Sequence, residues 1–339
     1  MTPEELEPLE RHAEWRADDV AASDEWIWEL SDAELGELEA ALAHARGRRN
    51  DVLQVTREDF PLPILGPRLA RLEEELIDGR GFALLRGLPV DRWGEEEASM
   101  VYWGIGTHLG RPWPQNRHGH LLGDVTDHGR KPGDPEARGY ELGGVPLPYH
   151  SDGSDLVGLL CLRQARSGGT STIANAVAVH NEMVRRRPDL AALLYRAMPY
   201  DYRGEEASGS RPFYFVPVFT RQGDRLFVRY IRPYIESAMR HPDAPRLPGA
   251  VREAFDLVDA LTADPDFNVY MDFRPGDMQF INNYHVLHGR TAYEDHPEPH
   301  RKRHLKRLWL ETRRLRERPE HFRPRRSAQH WWTRAAGAG

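Results

Sequence analysis

Short apolar runs set between Gly- and Pro-rich turns are what most restrict the folds open to this chain. LVGLLCLRQA, PFYFVPVF, RLFVRYI and HLKRLWLE are of strand length, and NVYMDFRPGDMQFINN supplies two further strand-like runs. A doubly wound parallel sheet needs a crossover helix after each strand, whereas these runs are joined by turns and long insertions. The pattern predicts a mainly β fold with appended helices, built as a closed or sandwiched antiparallel sheet. No regular internal repeat accompanies it.

Several helix signals flank the strands. Ser31, Asp32, Ala33 and Glu34 form a capping-box pattern ahead of Leu35, Leu38 and Leu42, so a helical layer is expected within residues 1–60. Beyond Pro61, Pro63 and Pro67 a helix is expected across Leu72–Ile77, and GRGFALLRGLPV follows as a strand. Gly, Pro, His and Asp dominate residues 104–144, which predicts long loops that form a substrate mouth. STIANAVAV is either a strand or a strand end at which Asn175 caps a helix carrying Val177, Val179, His180 and Met183. Pro188 and Asp189 restart a helix at LAALLY, and Val251, Phe255, Val258 and Leu261 give another helix its apolar face. Pro275, Gly276 and Asp277 predict a tight reversal between two strands.

At 339 residues, 40% hydrophobic and 29% charged, the chain has material for one large core or two smaller domains and is not disordered in composition. Its single cysteine, Cys161, excludes an internal disulfide framework and a cysteine-rich zinc site and fits a reducing cytoplasm. MTPEELEPLE has no basic region followed by an apolar stretch, and no later run is long enough to cross a bilayer, so a cytoplasmic protein without a membrane partner is expected. The formal charge is -7, with an acidic first fifty residues and an arginine-rich stretch from Arg301 to Arg334. The acidic balance and the lack of a base-reading module argue against a nucleic-acid partner. The basic tail, with Trp331 and Trp332, is expected to pack, and its pairing with the acidic N-terminal region of a second copy gives a homodimer.

Chemistry-bearing residues concentrate in LPYHSDGSD and FINNYHVLHGR. Residues two apart on a strand face one way, so His150 and Asp152 reach one ion while Ser151 points away. Two imidazoles and one carboxylate suit non-haem Fe(II) and leave coordination positions open for a co-substrate and oxygen. The second imidazole arrives through tertiary folding, from His285 or His288. His118 and His120 lack an independent ligand set and are expected at the surface. Arg303 and Arg307 in RHLKR are four apart, so strand alternation turns both to one face, where planar guanidinium forks suit a carboxylate.

Taken together and in this order, LPYHSDGSD, RSGGTST, FINNYHVLHGR and RHLKR resemble the TauD/TfdA family of Fe(II)- and 2-oxoglutarate-dependent dioxygenases over most of residues 79–310. The resemblance implies a double-stranded β-helix, or jelly roll. It implies a catalytic domain at 61–312, between an N-terminal helical extension at 1–60 and an arginine-rich extension at 313–339. It selects His288, immediately before Gly289, so that His150, Asp152 and His288 form a facial triad. It assigns Ser171 to the oxoacid, with Thr170 or Thr172 as substitutes. Arg307 is then expected at the distant oxoacid carboxylate, and Arg303 at the carboxylate nearer iron or in support of the ligands.

Asp155, Arg229, Tyr230, Asn282, Asn283 and Arg290 are candidate substrate-binding residues, with Arg232 and Tyr234 beside them. The implied reaction consumes 2-oxoglutarate and O2 and releases succinate and CO2. Its substrate is expected to be a small molecule, amino-acid-like or a natural-product intermediate. C–H hydroxylation is the first reading, and desaturation or cyclisation at the same centre is the alternative. Oxygen consumption separates both from a metallohydrolase, and oxoacid-dependent turnover separates them from a non-redox structural or regulatory metal protein.

Overall fold

The computed structural model describes residues 2–9, 13–131, 134 and 137–322 of the chain. Trp331, Trp332 and the rest of the arginine-rich extension after residue 322 lie outside the described residues, so the expected packing of that tail does too.

The strands that position the site are β1 (Ile27–Glu29), β2 (Phe82–Arg86), β3 (Leu122–Val125), β4 (Leu147–His150), β5 (Leu156–Arg163), β6 (Ser171–Asn175), β7 (Asn268–Met271), β8 (Met278–Asn282), β9 (Val286–Arg290) and β10 (His304–Glu311). One sheet runs β1–β2–β8–β5–β10, with β3 and a short strand at Arg111–Pro112 both paired to β10; the second runs β7–β6–β9–β4. The β1–β2 pair is parallel and the other pairs in these two sheets are antiparallel. Alternation sorts their side chains. Phe82 and Leu84 of β2 pack with Val157, Ile173, Val286 and Leu305 between the sheets, while Ala83 and Leu85 turn outward to a helical layer.

That layer is α1 (Asp32–Arg46), α2 (Leu65–Ile77) and α3 (Val90–Leu109). Its leucines Leu38, Leu69, Leu72 and Leu76 share one core with Leu308 and Leu310 of β10, each burial contributing roughly 1.5–3 kcal/mol. The expected capping box starts α1: the Glu34 amide donates to Ser31 Oγ at 3.4 Å, and the Ser31 amide donates to the Glu34 carboxylate at 2.9 Å. A second apolar cluster joins α4 (Ala176–Arg186), α5 (Pro188–Leu194), α6 (Arg232–Ser237) and α7 (Gly249–Ala263) to Leu287 of β9. Among the described residues no helix is long and apolar enough to cross a membrane.

The fold is therefore mixed α/β rather than mainly β, with a pair of central sheets that resembles the double-stranded β-helix. Residues 104–109, expected to open the loop region, complete α3. Gly104 and Gly106 serve close packing there: a Cβ at Gly104 collides with the Phe60 ring, and one at Gly106 lies 2.6 Å from Leu308 Cδ1. STIANAVAV resolves into β6 and α4, with Asn175 Oδ1 accepting from the Ala178 amide at 2.8 Å. Pro275-Gly276-Asp277 turns the chain as expected, but it carries it from β7 in one sheet to β8 in the other. Asp277 fixes that crossing through a two-point pair with Arg86 at 3.0 and 2.9 Å. RLFVRYI is strand only as far as Val228 and pairs with Phe219–Gln222 outside the two main sheets.

Candidate active site

His150 ends β4 directly opposite His288 on β9, and their ring centroids are 4.2 Å apart. Past His150, Ser151 turns away as alternation requires: its amide donates to the Tyr230 carbonyl at 2.8 Å and its hydroxyl accepts from the Tyr230 amide at 3.0 Å. Asn283 then clamps the next residue. Its carbonyl oxygen accepts from the Asp152 amide at 2.6 Å, and its amide group donates to the carbonyls of Asp152 and Ser154 at 2.7 and 2.8 Å. The Asp152 carboxylate is set 3.9 Å from His150 Nε2 and 3.8 Å from His288 Nε2. These separations exceed a hydrogen bond yet put the three groups within reach of one cation.

Electrostatics favour the same use. Burial holds both imidazoles below the usual histidine range, His288 at about 3, so both are neutral near pH 7 and able to offer a lone pair to a cation. His150 Nδ1 lies 2.9 Å from the Pro148 carbonyl; with the proton on that nitrogen, Nε2 faces Asp152 as a lone pair. Burial, the largest single influence, would raise the Asp152 carboxyl, but Arg307, the two imidazoles and the Trp309 hydrogen bond together outweigh it and hold the group ionised. Trp309 Nε1 donates to Asp152 Oδ2 at 2.9 Å, and Arg307 Nη1 lies 3.3 Å from the same oxygen. Gln115 fixes Arg307 in turn, accepting from its Nε at 2.8 Å and donating to its backbone carbonyl at 2.8 Å. Two histidines and an ionised aspartate, with a tethered carboxylate oxygen, form a donor set that fits Fe(II).

Two cavities meet this centre. A narrow one of about 50 Å³ runs from His150 and His288 to Ser171, Arg290 and Arg303. Register explains its lining, because Arg290 pairs with Ser171 and His288 with Ile173, which puts these side chains on one face. Arg290 and Arg303 both lie over the Tyr293 ring, at 4.7 and 5.5 Å from its centre. Burial, then the charge of Arg290, lowers the Arg303 guanidinium to about 10. The double glycine of RSGGTST makes room for it: Gly168 and Gly169 adopt φ of 69° and 73°, and a Cβ at Gly169 lies 3.0 Å from Arg303 Nε. The wider cavity, about 330 Å³, is lined by His150, Asp152, Tyr214, Arg229, Tyr234 and Trp309 among others.

Residues 47–309 match the model of the family described as taurine catabolism dioxygenase TauD, TfdA family. The chain belongs to the TauD/TfdA family. Across 338 residues it is 30% identical to FR-33289 synthase of Streptomyces rubellomurinus, covering 97% of this chain and 96% of that protein. It is 29% identical to a taurine hydroxylase-like protein of Stachybotrys chartarum over 308 residues, 87% of this chain and 77% of that one. Among solved structures it resembles asparagine oxygenase in complex with Fe(II), 2S,3S-3-hydroxyasparagine and succinate, with a TM-score of 0.66, 18% identity and coverage of 88% and 98% of the two chains. The non-heme iron oxygenase OrfP in complex with Fe and alpha-ketoglutaric acid gives a TM-score of 0.62 at 17% identity, covering 87% and 97%. This TauD/TfdA protein is an Fe(II)- and 2-oxoglutarate-dependent dioxygenase.

The dioxygenase brings His150, Asp152 and His288 together and leaves His285 aside, within 3.4 Å of the Asn282 side chain. His118 and His120 line an outer cavity and belong to no cluster of three potential ligands among the described residues. Ser171, Arg290 and Arg303 share the narrow cavity, and Arg229 lines the wide one, where its guanidinium donates to the Asp152 carbonyl. Arg307 touches the Asp152 carboxylate and Arg303 lies toward the far end of the narrow cavity; a shared face does not say which end of β10 meets the histidines.

Four other candidates point elsewhere. Tyr230 is buried in the second apolar cluster with its hydroxyl on Asp259 at 2.6 Å. Asp155 is engaged by Tyr284, the Thr312 amide and Arg318, each at 2.9 Å. Asn282 closes a turn by accepting from the Tyr284 amide at 3.0 Å, and Asn283 acts on the Asp152 backbone. Gln115 and Trp309 were missed. Trp309 was legible in RLWLE, two residues beyond Arg307 and so on its face; Gln115, in a loop, carried no sequence signal.

Proposed function

We propose that this dioxygenase hydroxylates a C–H bond of a small molecule, amino-acid-like or a natural-product intermediate, seated in the wide cavity beside His150 and Asp152. In this reading His150, Asp152 and His288 hold Fe(II), and the core is a double-stranded β-helix spanning a catalytic domain at 61–312. Arg303 and Arg290, with Ser171, hold the distant carboxylate of 2-oxoglutarate, while Arg307 lies at the iron end. One observation carries this assignment: Arg290 and Arg303 are buried side by side, and neither forms an ion pair with a carboxylate among the described residues. Arg303 Nη1 and Arg290 Nε are buried without a hydrogen-bond partner, and an oxoacid carboxylate supplies the missing anion.

The protein's own groups bind, orient and exclude water. Burial keeps the imidazoles unprotonated, Trp309 ties down Asp152 Oδ2 so that Oδ1 is free to ligate, and Asn283 holds the Asp152 backbone. When bound, Fe(II) supplies the redox chemistry: O2 is consumed with 2-oxoglutarate, one oxygen atom enters succinate as CO2 leaves, and the other enters the substrate. Arg229, Tyr214 and Trp309 form the wall against which the substrate is held. An amino-acid-like substrate is supported by the complexes of similar folds, asparagine oxygenase with 3-hydroxyasparagine and OrfP with (3S)-hydroxy-L-Arg.

Turnover under 18O2 with a panel of amino acids and small amides tests the reading. Hydroxylation gives a product that gains one labelled oxygen for each succinate formed. A product two hydrogens lighter with no label would replace hydroxylation by desaturation or ring closure.

A further inference from the structure

Arg203 stands out on backbone, charge and position together. It follows the strand Ala197–Asp201 and, among the described residues, is the one non-glycine with positive φ, 52°, a conformation that side chains avoid and that persists where surrounding contacts impose it. Its amide donates to Asp201 Oδ1 at 2.8 Å, but that carboxylate is already paired with Arg240 at 2.8 Å and lies 3.2 Å from His241 Nε2. The Arg203 guanidinium lies 4.3 Å from the Tyr234 ring centre and donates to the carbonyls of Ala137 and Pro233 at 2.7 and 3.0 Å. Its Nε is buried without a partner, and it has no carboxylate counter-ion among the described residues.

Arg203 also lines two adjoining cavities, the one containing His150 and Asp152 and an outer one of about 400 Å³ that includes Arg117, Arg130 and Arg138. The carboxylates of the outer cavity are engaged. Asp124 meets Lys306 and His304 at 2.5 and 2.6 Å, Glu141 accepts from the Arg138 amide at 2.8 Å, and Glu205 pairs with Arg138 at 3.3 Å. Arg130 and Arg138 are themselves paired, with Asp134 at 3.0 Å and Glu205 at 3.3 Å, whereas Arg203 faces the mouth without a carboxylate among the described residues.

From this geometry we propose that Arg203 binds an oxyanion of the substrate, a carboxylate, sulfonate or phosphoryl group, and so holds that end at the mouth while the carbon to be oxidised lies toward His150. The proposal rests on the wide cavity being the substrate site. It defines a subsite separate from the oxoacid cavity of Arg290 and Arg303.

The test uses the full chain with Fe(II) and the oxoacid analogue N-oxalylglycine under nitrogen. Propionate, methyl phosphate, methanesulfonate and neutral propionamide are titrated by calorimetry into wild type, R203K and R203Q. Wild type is expected to bind one or more of the anions at least about tenfold more tightly than propionamide, and R203Q to lose that preference while R203K keeps part of it. The anion bound best identifies the group. Equal binding of anion and amide, or an unchanged preference in R203Q, overturns the proposal and leaves Arg203 a strap between Ala137 and Pro233. N-oxalylglycine binding separates the two levels: its failure in wild type overturns the active-site reading itself, and its retention without anion preference overturns only the Arg203 subsite.

Discussion

Replacing Arg303 by methionine is expected to move stability and binding in opposite directions. Arg303 is 5% exposed, and burial, then the charge of Arg290, lowers its guanidinium from the ordinary arginine range to about 10. At ~1.4 kcal/mol per pH unit, that fall corresponds to a cost of roughly 3 kcal/mol for holding the charge without its anion. Methionine keeps much of the stem and removes the charge, so R303M without oxoacid should unfold at a higher temperature than wild type. The same change removes charge-assisted hydrogen bonds worth roughly 1.5–3 kcal/mol each, which weakens 2-oxoglutarate binding by about tenfold to more than a hundredfold. Thermal unfolding with and without 2-oxoglutarate, under nitrogen with Fe(II), reads both effects, since ligand raises the midpoint by mass action. A lower midpoint for ligand-free R303M together with an unchanged 2-oxoglutarate shift would refute the reasoning.

Three further outcomes follow from the same structure. W309F should bind Fe(II) about 10–100-fold more weakly through loss of the bond to Asp152 Oδ2, and an iron titration monitored by equilibrium dialysis that matches wild type would contradict that role. His180 is buried against Phe219 and Tyr195 and lowered to about 4, chiefly by burial, so the folded state binds its proton less readily than the unfolded chain. Its contribution is complete above pH 6.5 and is lost as pH falls toward 4, so wild type should lose roughly 3 kcal/mol relative to H180Q across that window in urea unfolding. L308A empties a fully buried position against Gly106 and should cost about 2–5 kcal/mol with 2-oxoglutarate affinity little changed.

Alternation made much of the site legible. His150 and Asp152, Arg303 and Arg307, and in retrospect Trp309 all follow from residues two or four apart facing one way, and the strand-length runs located most of the elements that carry them. Orientation along a strand was not legible: alternation turns Arg303 and Arg307 to one face without saying which of them meets Asp152. Polar residues misled where the fold had already satisfied them: Tyr230 looked like a wall residue in RYI, yet its hydroxyl is taken by Asp259. Glycine misled in the other direction, since Gly104 and Gly106 suggested turns but permit α3 to approach Phe60 and β10. Pro275-Gly276 marked a turn correctly without revealing that its two strands belong to different sheets. Arg203 gave no signal at all, because its unusual φ and missing counter-ion exist only in the folded chain.

Release of labelled CO2 from 1-labelled 2-oxoglutarate, in air with Fe(II) and iron content verified, tests most directly whether His150, Asp152 and His288 hold the metal that drives this dioxygenase. Wild type is expected to release CO2 and form succinate even without substrate, at a slow rate, and H288A to release none above the metal-only background. Equal release by wild type and H288A, or none from iron-loaded wild type, would contradict the account.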